Sequence, residues 1–560
     1  MYLFSFQFFR AIALPILSLC SSVVPATAAK DLKADIVVYG DASGGVTAAV
    51  QAARMGKKVI LVSQYGHLGG LTSSGLGWTD IGNTAILGGL SREFYHEAYM
   101  HYENDAAWKQ QKRSEFGTKG QGVKTFDSAT KLASVFEPKV AEAIFDQMVK
   151  KSGVIVIQGR LDLKNGVYKT GKRISKIMLE DGTSVEGKMF IDASYEGDLL
   201  PGAGVSFMIG REPNALYDEV GNGITGPSKK NQLRKGIDPY VVKGDPKSGL
   251  LPGVNPDMGG EIGDGDKKLQ AYCYRMVLTN AEDNRVAIKK PDGYDEKNYE
   301  LLFRTIEAGQ KWGFFKTSPM PNKKTDSNNT GGISTDFIGE NYGNDWDWST
   351  LDHKEREALA ARHRDWQLGM IWTLQNHPRV PEEIRAGYAK WGLPKDEFQD
   401  NGNWPYNLYV REARRMKSSL VMTEAHCKNK ILVEDPVGMG AYTLDSHNTQ
   451  RFVHNGMVMN EGDIQTYIGG KPYGISYRSI VPEAEECENL LVPWALSSTH
   501  IAFGSIRMEP VFMVLGQSAG TAASLAIDAK SSVQAVSYQI LRERLLKDDT
   551  RLPVNKSIKK

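Results

Sequence analysis

The sequence predicts an α/β fold in which a parallel sheet is wound with helices and interrupted by a long α+β insert. Three observations lead there: an apolar strand running into a glycine turn and a small-residue helix at 35–54, a second apolar strand at 58–62, and a stretch at 213–473 where that pattern stops. The 560 residues allow about three domains, or one large domain carrying an insert. Apolar residues make up 41% and charged residues 24%, which supplies a core and excludes wholesale disorder. Lys and Arg number 68 against 66 Asp and Glu, so a net charge of +2 argues against a nucleic-acid partner.

Residues 1–28 are expected to be removed as a signal peptide. One charge, Arg10, precedes an apolar run at 11–19 that is short for a bilayer, and small residues at 25–29 place an Ala-x-Ala site at Ala26 and Ala28. This predicts a secreted or periplasmic protein, and no further long apolar segment points to stable membrane insertion. Cys273, Cys427 and Cys487 remain, so at most one disulfide forms, and no Cys-x-x-Cys pair stands ready for zinc or an iron–sulfur cluster.

Residues 35–39 read as a buried strand leading into Gly40-Asp41-Ala42-Ser43-Gly44-Gly45, and residues 46–54 as the following helix. This spacing calls for a tight turn at Gly40, backbone approach to a pyrophosphate near Ala42, and close helix-to-strand packing at Gly45. The phosphate then sits on the helix N-terminus beside Ser43 and Gly44. Ala42 stands where the motif carries its second glycine. The strand at 58–62 ends at Ser63, where a carboxylate usually grips the adenosine ribose, leaving a hydroxyl with a single hydrogen bond to offer. A second glycine-rich stretch at 66–75 contains Gly69, Gly70, Leu71 and Thr72. Nicotinamide sites have no use for it, whereas FAD threads its pyrophosphate and ribityl chain past such a loop, so FAD is the expected cofactor.

Further along, residues 154–157 read as a strand and 173–182 as a hairpin. The strand at 189–192 ends in Ala193 and Ser194, small residues that permit close backbone approach. A short strand at 490–492 precedes Pro493 and Trp494. A helix then starts near Pro510, which suits a first helical turn, and runs over 511–527 with Gly516, Ser518, Ala519 and Gly520 forming a small-residue face. Its N-terminal partial charge suits an anionic reduced flavin; the alternative is a buried core helix with no such aim.

Gly66-His67-Leu68-Gly69-Gly70, residues 190–199, Gly210-Arg211-Glu212, residues 472–482 and residues 489–500 together resemble the secreted FAD-dependent oxidoreductases of the glutathione-reductase-like superfamily. Some relatives carry a xanthan lyase label. The resemblance covers most of 33–530. It implies a Rossmann-like FAD-binding domain, with a βαβ unit and three-stranded meander, split over 30–212 and 474–545 around an inserted α+β substrate domain at 213–473. A basic tail follows at 546–560. It also implies that Trp494 meets the ribityl chain and that Met508 and Val511 lie beside the flavin.

Oxidising an alcohol needs a base to take a proton as hydride leaves, and His500 is the candidate, following Ser497-Ser498-Thr499. Arg507 and Glu509, just before the closing helix, are candidates to orient substrate or stabilise reduced flavin. Tyr195, Glu196 and Arg478 rank second, and His67 is placed to touch the cofactor. Aromatic residues at 344–348 and 403–406 suit a sugar face or simple packing. Arg411, Arg414 and Arg415 either grip an anion or form an ion-paired face. The expected activity is hydride transfer from a hydroxyl-bearing small molecule, a sugar or glycoside, to flavin, with an unspecified electron acceptor. The alternative is a polysaccharide-binding protein or lyase on a relic flavin fold. Gly438-Met439-Gly440 lacks the third glycine of a nicotinamide site, and residues 261–266 lack calcium-loop order, so no metal is expected.

Overall fold

The computed structural model describes residues 29–341 and 347–553. The signal peptide expected at 1–28, residues 344–346 of the first aromatic cluster and the end of the basic tail lie outside the described residues.

Five parallel strands form the central sheet in the order Leu490–Leu491, Met189–Asp192, Ile36–Tyr39, Val59–Ser63, Ile155–Gln158. The three middle strands are buried along their whole length, which is why they read as continuous apolar runs rather than alternating ones. The first crossover is the helix Ser43–Arg54. It leaves the sheet through Gly40, whose φ of +111° is costly for any residue with a Cβ. The α/β expectation is met.

The helix predicted at Pro510 is Glu509–Ala529, with the proline in its first turn. Gly516 and Gly520 of its small-residue face meet the helix Ser43–Arg54, while Ser518 Oγ donates to the Val437 carbonyl at 2.6 Å. A Cβ on Gly516 would stand 2.0 Å from the Gly44 carbonyl oxygen, and one on Gly520 would stand 2.3 Å from that of Ala48. Thr47 Oγ1 ties the pair by donating to the Met513 carbonyl at 2.7 Å. The helix is long and apolar enough to cross a membrane, yet it is buried against these partners.

The hairpin expected at 173–182 is part of a larger unit. Val167–Thr170, Arg173–Met178 and Ser184–Glu186 form an antiparallel meander, and Asp31–Lys33 adds a parallel edge strand. Between residues 213 and 473 the chain forms two- and three-stranded sheets and the long helix His353–Asn376, started by Asp352 and Glu355 as a capping box. Gly438, Met439 and Gly440 lie within the strand Pro436–Gly440. Buried arginines knit this region to the sheet ends: Arg356 and Arg414 share Asp198, and Arg415 lies between Glu212 and Glu412. The 411–415 arginines are thus an ion-paired, buried set. Cys273, Cys427 and Cys487 are buried free thiols.

Candidate active site

The glycine turn opens onto a cavity of about 380 Å³ lined by Gly40, Asp41, Ala42, Gln64 and Tyr65 on the sheet side, with Ala193 and Ser194 at the neighbouring strand end. The helix Ser43–Arg54 begins here with no side-chain cap on Ala42. Its first N–H groups lack helical acceptors and carry the positive end of the helix dipole. An uncapped helix start beside a cavity, facing Arg160 and Arg364 on the lining, matches what a pyrophosphate requires. The residues therefore fit the nucleotide portion of FAD.

Ser63 does not line this cavity. It is fully buried, its Oγ donating to Asp41 Oδ2 at 2.6 Å and accepting from the Gly66 N–H at 2.8 Å. Asp41, in the first glycine turn, places a carboxylate on this lining and also accepts from the Tyr65 N–H at 3.2 Å. Burial raises the Asp41 carboxyl above its ordinary value, opposed by the Ser63 hydroxyl. Sequence reading passed over Asp41 because the motif treats that position as free.

The second glycine loop rests on the first. The Gly69 N–H donates to the Asp41 carbonyl at 2.7 Å, and Gly69 and Gly70 both have positive φ. Between the loops lies Glu509, whose Oε2 accepts from Ser43 Oγ at 2.5 Å and Thr72 Oγ1 at 2.8 Å. Tyr195 completes the cluster, its hydroxyl accepting from the Leu71 N–H at 2.6 Å and reaching Glu509 Oε1 at 3.3 Å. Trp494 is buried in stacking contact with Phe512, at 3.6 Å between ring centroids, and meets Tyr195 edge-on. Met508 and Val511 are also buried, and neither they nor Trp494 lie on the lining of the glycine-turn cavity.

Burial pushes the Glu509 carboxyl up to about 7, against the pull of the Ser43, Thr72 and Tyr195 hydroxyls. The folded chain therefore holds this proton more tightly than the unfolded chain, whose ordinary value is 4.5. The stabilisation is fully present below about pH 4.5 and is lost as the pH rises through 7. Glu509→Gln removes this titration, so the stability of wild type relative to the variant should fall by about 3 kcal/mol across that window. Thermal melts of both proteins at several pH values check it; parallel pH profiles would show that Glu509 does not titrate there.

A second, polar cavity of about 320 Å³ contains Arg507 together with Arg275, Tyr409, Asp445 and His447. The segments bridged at Cys273 and Tyr409 contribute residues to the linings of both cavities. Tyr274, Leu408 and Val410 line the glycine-turn side, and Arg275 and Tyr409 line the polar side. Arg507 donates to Tyr409 Oη at 2.6 Å and pairs with Asp445 at 3.1 Å. Burial raises the Asp445 carboxyl, but His447 and Arg507 outweigh it and hold it down at about 2. His447 Nδ1 is 2.8 Å from Asp336 Oδ2, while its Nε2 is 3.6 Å from Asp445, beyond hydrogen-bond reach.

His500 is placed differently from the sequence expectation. It opens the helix His500–Ile506, capped by Thr499, and the residues before it make only an isolated bridge, Ser498 to Met422, rather than a strand. Its ring is buried with both nitrogens engaged, Nδ1 with Glu412 at 2.7 Å and Nε2 with Ser446 Oγ at 3.0 Å. Thr499 followed by an apolar run is a helix-start signal that the sequence offered. His67 is stacked on Tyr406 and held between Glu142 and Asp400, a clasp between the second glycine loop and the 399–407 segment. Tyr195 and Glu196 line the first cavity, whereas Arg478 pairs with Asp435 away from both. Trp404 and Tyr406 of the second aromatic cluster close the first cavity.

A sequence model of the family described as FAD dependent oxidoreductase matches residues 35–545. Among solved structures, 3-ketosteroid-delta4-(5alpha)-dehydrogenase from Rhodococcus jostii is 16% identical over 31% of this chain and 48% of its own, with a TM-score of 0.20. L-amino acid deaminase from Proteus vulgaris is 16% identical over 36% of this chain and 56% of its own, TM-score 0.22. Thioredoxin reductase from Streptococcus pyogenes is 19% identical over 29% of this chain and 34% of its own, TM-score 0.17. The chain spans less than two thirds of each, and overlaps of this extent carry no argument about activity. No curated protein matches.

Proposed function

This chain belongs to the family of FAD-dependent oxidoreductases and its cofactor is FAD; on that premise we propose that it oxidises the hydroxyl of a small polar molecule, a sugar or glycoside, in the cavity of Arg507 and His447. FAD supplies the hydride acceptor. The uncapped start of the helix Ser43–Arg54 takes the phosphates, Asp41 takes adenosine-side hydroxyls, and the loop of Gly69, Gly70, Leu71 and Thr72 takes the chain beyond them. In this reading the split FAD-binding domain of glutathione-reductase type surrounds a substrate domain at 213–473, and the mature protein works outside the cytoplasm.

The observation that carries the reading is His447. With Nδ1 hydrogen-bonded to Asp336, the ring is oriented, and its Nε2 faces the cavity with Asp445 Oδ2 as an ion-pair neighbour at 3.6 Å. That is the arrangement of a base that accepts a hydroxyl proton while a carboxylate steadies the resulting imidazolium. Asn231, Asn328 and Gln465 add neutral donors and acceptors to the same cavity, which favours a polyhydroxylated substrate over an apolar one. Arg507 orients the substrate oxygen, and Tyr409, held by Arg507, closes one wall.

Anaerobic mixing of the FAD-loaded protein with a panel of aldoses, polyols and glycosides tests the proposal. Bleaching of the flavin absorbance by a member of the panel supports it. Bleaching confined to amines or amino acids, or polysaccharide cleavage without any flavin reduction, would contradict it.

A further inference from the structure

The helix His353–Asn376 separates the glycine-turn cavity from another of about 320 Å³. Ala360, Ala361 and Arg364 face the first, while Arg362, Asp365 and Trp366 face the second. The two linings share no residue. One wall of the second is a column of stacked rings: Tyr299 lies on Trp366 at 5.1 Å with an interplanar angle of 5°, and Trp366 lies on Phe337 at 4.9 Å, also at 5°. Leu301, Ile333 and Ile338 extend the apolar surface.

Arg451, on the strand Gln450–His454, lines the same cavity and is 3% exposed. Its only hydrogen bond among the described residues is a weak one, from Nη2 to the Gly332 carbonyl at 3.5 Å, and its Nε has none. Every other buried arginine of the described residues forms an ion pair with a carboxylate. Burial lowers Arg451 to about 10 although the Asp336 charge opposes it, the reverse of Arg211, Arg275, Arg356 and Arg411, each in contact with its carboxylate. The acids on the lining are committed elsewhere, Glu340 to Arg362 at 2.5 Å and Asp365 to Arg364 at 3.7 Å. An uncompensated guanidinium inside a protein is strongly unfavourable, and a bound anion relieves it.

We propose that this cavity is a second ligand site, separate from the flavin and substrate cavities, which takes a small organic carboxylate with its charge on Arg451 and its apolar body along the Tyr299, Trp366 and Phe337 column. An aromatic or cyclic body fits both the wall and the enclosed volume, whereas a bare inorganic anion leaves the apolar surface uncovered. The site depends on its own residues and stands whatever substrate the polar cavity accepts.

Equilibrium titration of the full-length, FAD-loaded protein with benzoate, followed by tryptophan fluorescence and calorimetry, tests this, with benzamide as the neutral isostere. The expected result is saturable binding of benzoate, absent for benzamide, and weakened about tenfold or more in Arg451→Met. Arg451→Lys, which keeps the charge, should bind more tightly than the Met variant and guards against a folding defect. Equal binding of benzoate and benzamide, no saturable benzoate binding by the wild type, or unchanged affinity in Arg451→Met would each overturn the proposal. Displacement of benzoate by inorganic phosphate at comparable concentration would overturn the organic part of the assignment.

Discussion

Replacing Gly45 with valine is expected to give a folded protein that loses its FAD on purification. A Cβ at this position would stand 2.1 Å from the Gly40 carbonyl oxygen and 3.1 Å from the Ala193 Cβ. Neither neighbour yields: Gly40 is fixed by its own positive φ and by a hydrogen bond from its N–H to Val62, and Ala193 ends a central strand. Overpacking against backbone costs about 1–3 kcal/mol, which the 560-residue fold can absorb by pushing the helix start away from the turn. That displacement is what the cofactor cannot tolerate, because the phosphate site consists of the turn and the helix N-terminus held together. Affinity should fall by about 10²-fold or more, with circular dichroism preserved. Absorbance and flavin fluorescence of the purified variant check it, and a folded Gly45→Val protein with stoichiometric FAD would refute this placement of the cofactor.

His447→Gln is expected to keep FAD and to slow flavin reduction by about 10²-fold, since glutamine fills the same space but accepts no proton. Stopped-flow reduction under anaerobic conditions reads the effect directly. His500→Ala serves as the contrasting variant. Its ring bridges Glu412 and Ser446 in the interior, and removing it strips the buried Glu412 of one partner while Arg415 remains. The effect expected there is on melting temperature, with reduction kinetics little changed once the protein is folded and FAD-loaded. If His500→Ala slows reduction while His447→Gln does not, the base is His500 and the polar cavity is not where the hydroxyl proton leaves.

The parts of this architecture that could be read from the sequence are those encoded locally. The strand Ile36–Tyr39, the turn at Gly40 and the helix behind it follow from apolar runs and glycine spacing within about twenty residues. The proline-started helix Glu509–Ala529 is legible for the same reason. What escaped the sequence depends on contacts between distant segments. Asp41 matters because Ser63, on the next strand, hands it a hydrogen bond; Gly45 and Gly516 look alike in sequence, but one faces the turn and the other a helix. His447 sits in Ser446-His447-Asn448, a string without a motif, and becomes a candidate base through Asp336. Arg451 stands out only when the ion pairs of all buried arginines are compared. His500 shows the converse, a chemically apt residue in sequence whose two ring nitrogens the fold engages with Glu412 and Ser446.

FAD held by the first glycine turn is tested most directly by the visible absorption spectrum of the purified protein, before and after acid precipitation. A flavin spectrum at one FAD per chain, with the colour passing into the supernatant, is the predicted result. A colourless, folded protein that takes up no added FAD would contradict it.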